Sequence, residues 1–172
     1  LPAPPSYALT RFVVLRLLGL VYLVAFWCLM RQGLPLIGHH GLLPADQFVR
    51  DSVAEVGSRW QGFLHLPSLF WAGVTDRELM LLGWVGLLTS AVVLAGYANA
   101  LMLLLLWALY LSVVHVGQLF YGYGWEIQLC ETGFLAVFLC PLLSLKPFPK
   151  HAAPRQVIWL FWWLIFRIML GA

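Results

Sequence analysis

The chain has 172 residues, of which 62% are hydrophobic and only 10% charged, with a net charge of +3. A soluble domain carries about 25% charged residues, so there is too little polar surface here to cover a fold in water. Lys and Arg are scattered rather than clustered, which argues against a nucleic-acid partner. The expected class is an integral membrane protein. Backbone groups in lipid must be satisfied internally, so its spans are helices. The fold expected is all-α, a polytopic transmembrane bundle of about five spans forming a single domain over residues 1–172.

In chain order, "LPAPPSYALTR" has neither Met nor a basic start, and "GA" closes an apolar run that is still short of a span. The sequence therefore reads as a piece of a longer protein. A span needs about 20 apolar residues. The first is expected at residues 11–30, bracketed by Arg11 and Arg31. It has no small-residue cleavage site, so it is not a removed signal peptide.

Residues 31–77 form an extramembrane or interfacial segment rich in charge. His39-His40 sits between glycines and reads as a turn, because two adjacent histidines without further ligands do not close a metal shell. "PADQFVRDSVAEVG" sets Phe48, Val49, Ser52, Val53 and Val56 on one stripe, an amphipathic helix with a proline start. "WQGFLHLPSLFWAGV" is apolar and aromatic, broken by Pro67, too short to span and suited to an interfacial or re-entrant position. Ordinary packing over the bundle explains both segments as well.

The second span is expected at residues 78–96, with small-xxx-small spacing in "AVVLA" as a possible close helix contact. A tight turn at 97–99 leads to a third span at 100–121. "YGYG" opens a fourth at 125–145, and the linker "KPFPKHAAPR" precedes a fifth at 156–172. The N-terminus, the 97–99 turn and the linker then share one face, which holds Arg11, Lys146, Lys150 and Arg155. Its short loops carry the denser positive charge, which favours that face as cytoplasmic. Cys28, Cys130 and Cys140 lie in apolar stretches without CxxC spacing and read as packing residues.

Ionisable groups at bilayer depth cost about 2.5–3.5 kcal/mol each on insertion scales and usually face a partner. Six residues form the expected intramembrane polar network: Glu131, Arg167, His115, Gln118, Gln128 and Glu126. Arg16 lies near the N-terminal face, where its stem can reach outward. With a rise of about 1.5 Å per residue, Glu131 and Arg167 fall within about one helical turn of the same depth on consecutive spans. A carboxylate–guanidinium pair there leaves neither charge alone. His115 and Gln118 are three apart, as are Gln128 and Glu131, so each pair would share a helix face. Glu126 and Glu131, about 140° apart around a helix, do not make a paired-acid site.

This network is open to two readings, a packing device or a site for catalysis or transport. No HExxH, GxSxG or phosphate loop accompanies it. The competing function is a polytopic membrane enzyme acting on a lipid or protein substrate through Glu131, His115 or Glu126.

"LTRFVVLRLLGLVYLVAF", "LIGHHGLLPADQF", "LWALYLSVVHVGQLFYGYGWEIQLCETGFLAVFLCPL" and "WLFWWLIFRIMLGA" together resemble the lipase maturation factor family, most specifically from Trp107 to Pro141. The resemblance implies a multi-pass protein of the endoplasmic reticulum membrane with a cytosolic N-terminus. It implies a chaperone-like role in assembling secreted lipases, such as lipoprotein lipase, into active dimers. A large lumenal region that engages the client follows the family's counterpart of "RIMLGA". No catalytic residue, cofactor or metal ligand carries over, so a non-enzymatic factor is expected. In a bacterial source the membrane would be the cytoplasmic one.

Overall fold

A computed structural model describes residues 7–145 and 153–171, without the side chain of Ala72. Lys146, Lys150 and most of the expected basic linker lie outside the described residues. These residues form α1 (Ala8–Ile37), α2 (Ala45–Val56), α3 (Arg59–His65), α4 (Asp76–Leu94), α5 (Ala100–Val116), α6 (Gly124–Val137) and α7 (Arg155–Gly171). Single 3-10 turns occupy Leu69–Ala72 and Gln118–Tyr121. The described residues are thus all helical and contain no strand.

α1 and α4 make the most extensive helix contact and run antiparallel. A side-chain carbon on Gly19 would meet Val93 and Leu94, one on Gly86 would meet Phe26, and one on Gly83 would meet Met30. The buried residues of α4, Leu79, Leu82, Gly83, Gly86, Ser90 and Val93, recur at helical spacing along this seam. Small residues let the two backbones approach, the usual device where lipid supplies no hydrophobic drive. The seam therefore uses Gly83, Gly86 and Ser90. Ala91 and Ala95, the small pair expected to make the close contact, are both exposed.

α5 follows after Asn99, whose Oδ1 accepts the Met102 N–H at 2.8 Å as a helix cap. It packs antiparallel to α6, with Trp107 against Phe134 at 5.3 Å between ring centres. The bundle centre is aromatic. Tyr22 and Phe26 of α1 stand edge-on to Tyr110 of α5, each at 5.8 Å, and all three are fully buried.

The ends of the helices define two levels. At one end Arg16 donates from Nη2 to the Ala95 carbonyl at 3.1 Å, satisfying the C-terminus of α4, and the Ala100 N–H donates to the Pro141 carbonyl at 3.0 Å. The start of α1, the 97–99 turn and the stretch after α6 thus share a level. At the other end lie residues 38–75 and the 3-10 turn before α6. There α2 forms as the stripe predicts, with Val49 buried and Phe48 and Val53 packed on the core. The aromatic run is broken at Pro67: Phe70 and Trp71 turn inward, whereas Trp60, Leu64 and Leu69 are exposed.

Outward-facing apolar side chains are abundant. Leu17 is 57% exposed, Leu81 64%, Leu88 62% and Trp163 61%, the reverse of a water-facing surface. By length and composition, two described helices, α1 with 30 residues and α4 with 19, suffice to cross a membrane. α5 with 17 residues, α6 with 14 and α7 with 17 are shorter, so helix length does not reach the expected count of about five.

Local chemistry explains the shortening. α5 stops at Val116 because Gly117 and a left-handed Gln118, φ 50°, turn the chain into a 3-10 turn. α6 stops at Val137 rather than continuing to 145. The N–H groups of Phe138, Leu139 and Cys140 fold back on the carbonyls three residues earlier, tightening the last turn before Pro141.

Candidate functional site

The polar residues of the last three helices separate into distinct places. Arg167 of α7 donates from Nη2 to Oε2 of Glu131 on α6, joining the two helices through a charged hydrogen bond. The pair is not deeply enclosed: the side chains are 52% and 35% exposed. α7 also buries Val157 and Leu164 and packs Ile158 and Phe161 against the bundle.

Glu126 points the other way. It is 2% exposed, in the first turn of α6 and inside the bundle. Glu126 Oε2 and Tyr110 Oη are both buried without a hydrogen-bond partner. Glu126, in that first turn, is an interior group rather than part of the exposed Glu131–Arg167 pair.

His115 and Gln118 do not join Glu131. His115 Nδ1 donates to the Pro67 carbonyl at 2.8 Å, which fixes the proton on that nitrogen because a carbonyl only accepts. Gln118 Nε2 donates to the Leu43 carbonyl at 3.3 Å. Their expected shared face assumes a helix through residue 121, whereas the helix has already ended between them. Both tie the end of α5 to the 38–75 segment. Gln128 is exposed one turn before Glu131 and lines a cavity with Arg167, Ile168 and Gly171.

Ser112, a residue the sequence reading did not select, anchors the same segment. Its Oγ accepts the Leu69 N–H at 2.9 Å and donates to the Ala108 carbonyl at 2.7 Å, and its own carbonyl accepts from Ser68 Oγ at 3.3 Å. One buried hydroxyl on an apolar helix thus satisfies the start of the Leu69–Ala72 turn. Its setting, "ALYLSVVHV", offered no signal beyond a polar residue in a span.

Beyond α1, His39 makes two bonds that explain the tandem histidine. Its N–H donates to Asp76 Oδ1 at 2.7 Å, and its Nδ1 to Asp46 Oδ2 at 3.0 Å. Arg50 Nη1 also donates to Asp46 Oδ2, at 2.8 Å. Burial pushes the Asp46 carboxyl up, but the hydrogen bonds from Arg50, His39 and the Gln47 N–H outweigh it and hold the group below the usual carboxylate range. This cluster locks the loop to the starts of α2 and α4. Among the described residues no group of three His, Cys, Asp or Glu side chains is placed to hold a metal ion.

The hydrogen bonds of this arrangement join α6 to α7, the end of α5 to residues 38–75, and the loop after α1 to the starts of α2 and α4. A family model described as "Lipase maturation factor transmembrane domain" matches residues 9–172. The chain is 44% identical to human lipase maturation factor 1, over 97% of this chain and 31% of that protein. It is 41% identical to the mouse protein of the same name, over 97% of this chain and 30% of that protein. With human lipase maturation factor 2 the identity is 34%, over 95% of this chain and 25% of that protein. The chain thus spans less than a third of the length of the relatives it matches. No solved structure matches it. The relatives are named for maturation rather than for a reaction catalysed, in keeping with a non-enzymatic protein. Its apolar exterior, its two long apolar helices and the matched transmembrane domain together identify a membrane protein that belongs to the lipase maturation factor family.

Proposed function

We propose that the chain is the membrane-anchoring part of a chaperone-like factor that brings secreted lipases, such as lipoprotein lipase, to their active assembled form. The observation that carries this reading is the family match over residues 9–172 together with 44% identity to human lipase maturation factor 1. The protein resides in the endoplasmic reticulum membrane as a multi-pass bundle with its N-terminus in the cytosol. α1, α4, α5, α6 and α7 each cross, alternating in direction, and α2 and α3 lie at the far surface. The antiparallel contacts of α1 with α4, α5 with α6 and α6 with α7 support that alternation. Short helices such as α6 cross together with their flanking turns, covered by neighbours. A bacterial cytoplasmic membrane is the corresponding site in a prokaryotic source.

In this reading Glu131 and Arg167, with Glu126, Gln128, His115 and Gln118, are packing and positioning groups, and the part of the protein beyond this domain engages the client. The test is secretion of active lipoprotein lipase from cells deleted for their own maturation factors. The full-length protein should restore secreted activity at unchanged lipase message. Lipase that stays inactive, with the factor present at normal abundance in the membrane, would refute the proposal.

A further inference from the structure

The chain between α2 and α4 descends beside α5 and returns. His115 Nδ1 donates to the Pro67 carbonyl at 2.8 Å, Ser112 Oγ accepts the Leu69 N–H at 2.9 Å, and the Ser112 carbonyl accepts from Ser68 Oγ at 3.3 Å. Pro67, Ser68 and Leu69 therefore lie level with residues 112–115 of α5. α4 ends at Leu94 and α5 starts at Ala100, across a short turn. At about 1.5 Å per residue, Asp76 stands about 27 Å from that turn, Ser112 about 18 Å and His115 about 22 Å. Pro67 to Leu69 thus sit about 5–9 Å deeper than the level at which α4 carries Asp76, Arg77 and Glu78. Irregular backbone at such a depth needs partners from the protein, and Ser112 and His115 supply them.

The outer face of this segment is apolar. Trp60, Phe63 and Leu64 fall within about 100° of one another around α3, and the Trp60 and Phe63 rings stack at 5.9 Å. Gly62, on the opposite side, is buried against the Trp71 ring, whose Nε1 donates to the Leu66 carbonyl at 2.6 Å. α3 therefore turns its apolar face away from the bundle: Trp60 is 68% exposed, Leu64 64% and Leu69 56%. α2 does the reverse, burying Val49 and leaving Arg50, Asp51 and Glu55 outside.

We propose that residues 59–72 are a re-entrant loop, with Trp60, Phe63, Leu64 and Leu69 set among the lipids of the leaflet on the α2 side, while α2 stays in water. The occupant of this face is the bilayer, because the face continues the apolar exterior of the helices below the charged level of α4. Trp favours that boundary. The exposed Arg59 at the start of α3 has a stem long enough to reach the headgroups. A water-borne partner would have to follow Leu69 beneath the charged level. The inference rests on the crossing of α4 and α5 proposed above and says where the chain between the first two crossings lies.

The test uses the full-length protein in phosphatidylcholine vesicles, with photoreactive benzoylphenylalanine replacing Trp60, Leu64, Leu88 or Asp51 in turn. Leu88, 62% exposed on α4, is the lipid-facing reference, and Asp51, exposed on α2, the water-facing one. Size-exclusion elution reports whether each variant folds. After irradiation, mass spectrometry should find phosphatidylcholine on the peptides carrying residues 60 and 64 in the same yield as at residue 88, and only background at residue 51. Background yield at residues 60 and 64 with full yield at 88 would overturn the proposal. So would their attachment to another part of the protein or to a second copy. Equal yield at all four positions would overturn the placement of α2 in water. Background yield at residue 88 as well would overturn the crossing itself, and the loop's placement with it.

Discussion

Gly86→Ala tests the α1–α4 seam with the smallest possible change. A Cβ at Gly86 falls 2.5 Å from both Cδ1 and Cε1 of Phe26, about 1 Å inside the 3.4–4 Å of ordinary contact. The ring has nowhere to go. Phe26 is fully buried, stacked with Tyr22 at 6.2 Å and edge-on to Tyr110 at 5.8 Å. Overpacking of this kind costs about 1–3 kcal/mol. The better helix propensity of Ala returns about 1 kcal/mol. The net expectation is a loss of about 1 kcal/mol, with Gly86→Leu disrupting the pairing outright. Gly124→Ala is the control, since nothing lies within 4 Å of its Cβ position. Equilibrium unfolding of the full-length protein in mixed micelles measures both. Phe26→Leu combined with Gly86→Ala should cost less than the sum of the two alone, because the smaller side chain leaves room for the new methyl. If Gly86→Ala unfolds no more easily than Gly124→Ala, the close seam is not what holds α1 to α4.

Ser112→Ala leaves the part-buried Leu69 N–H without its side-chain acceptor and should cost about 1 kcal/mol. Hydrogen exchange should show the loss first at the Leu69–Ala72 turn. The Asp46 cluster should weaken in acid. Its folded carboxyl titrates below the unfolded value of about 3.9, so its contribution is present above that pH and is lost as pH falls through the folded value. Hydrogen exchange of residues 38–46 should therefore speed up on acidification, and Asp46→Asn should remove that dependence.

Hydropathy marked the stretches that form α1, α4, α5, α6 and α7, but only α1 and α4 among the described helices are long and apolar enough to cross a membrane. Phe48, Val49 and Val53 made α2 readable because their stripe has the helical period. The ends of α5 and α6 were harder. Whether Gly117 and Gln118 continue a helix or close it depends on the left-handed backbone of Gln118, and an apolar run through Leu145 hides the tightening before Pro141. Matched depth on consecutive helices pointed to Glu131 and Arg167 as neighbours. Facing direction did not follow from depth. Glu126 turns into the bundle, and His115 and Gln118 turn to Pro67 and Leu43, segments more than forty residues away in the chain. The glycines of the α1–α4 seam were equally hidden, because spacing shows small residues but not which of them meets a ring.

The ion pair between α6 and α7 joins α7 to the bundle, and a double-mutant cycle reads it directly. Glu131→Gln, Arg167→Gln and the double variant are to be unfolded under the same micelle conditions. Each single change should destabilise the bundle, and the double variant should cost about 1 kcal/mol less than their sum, since it strands no lone charge. Single costs that simply add would mean that the two side chains do not act on each other, and that α7 is held by something else.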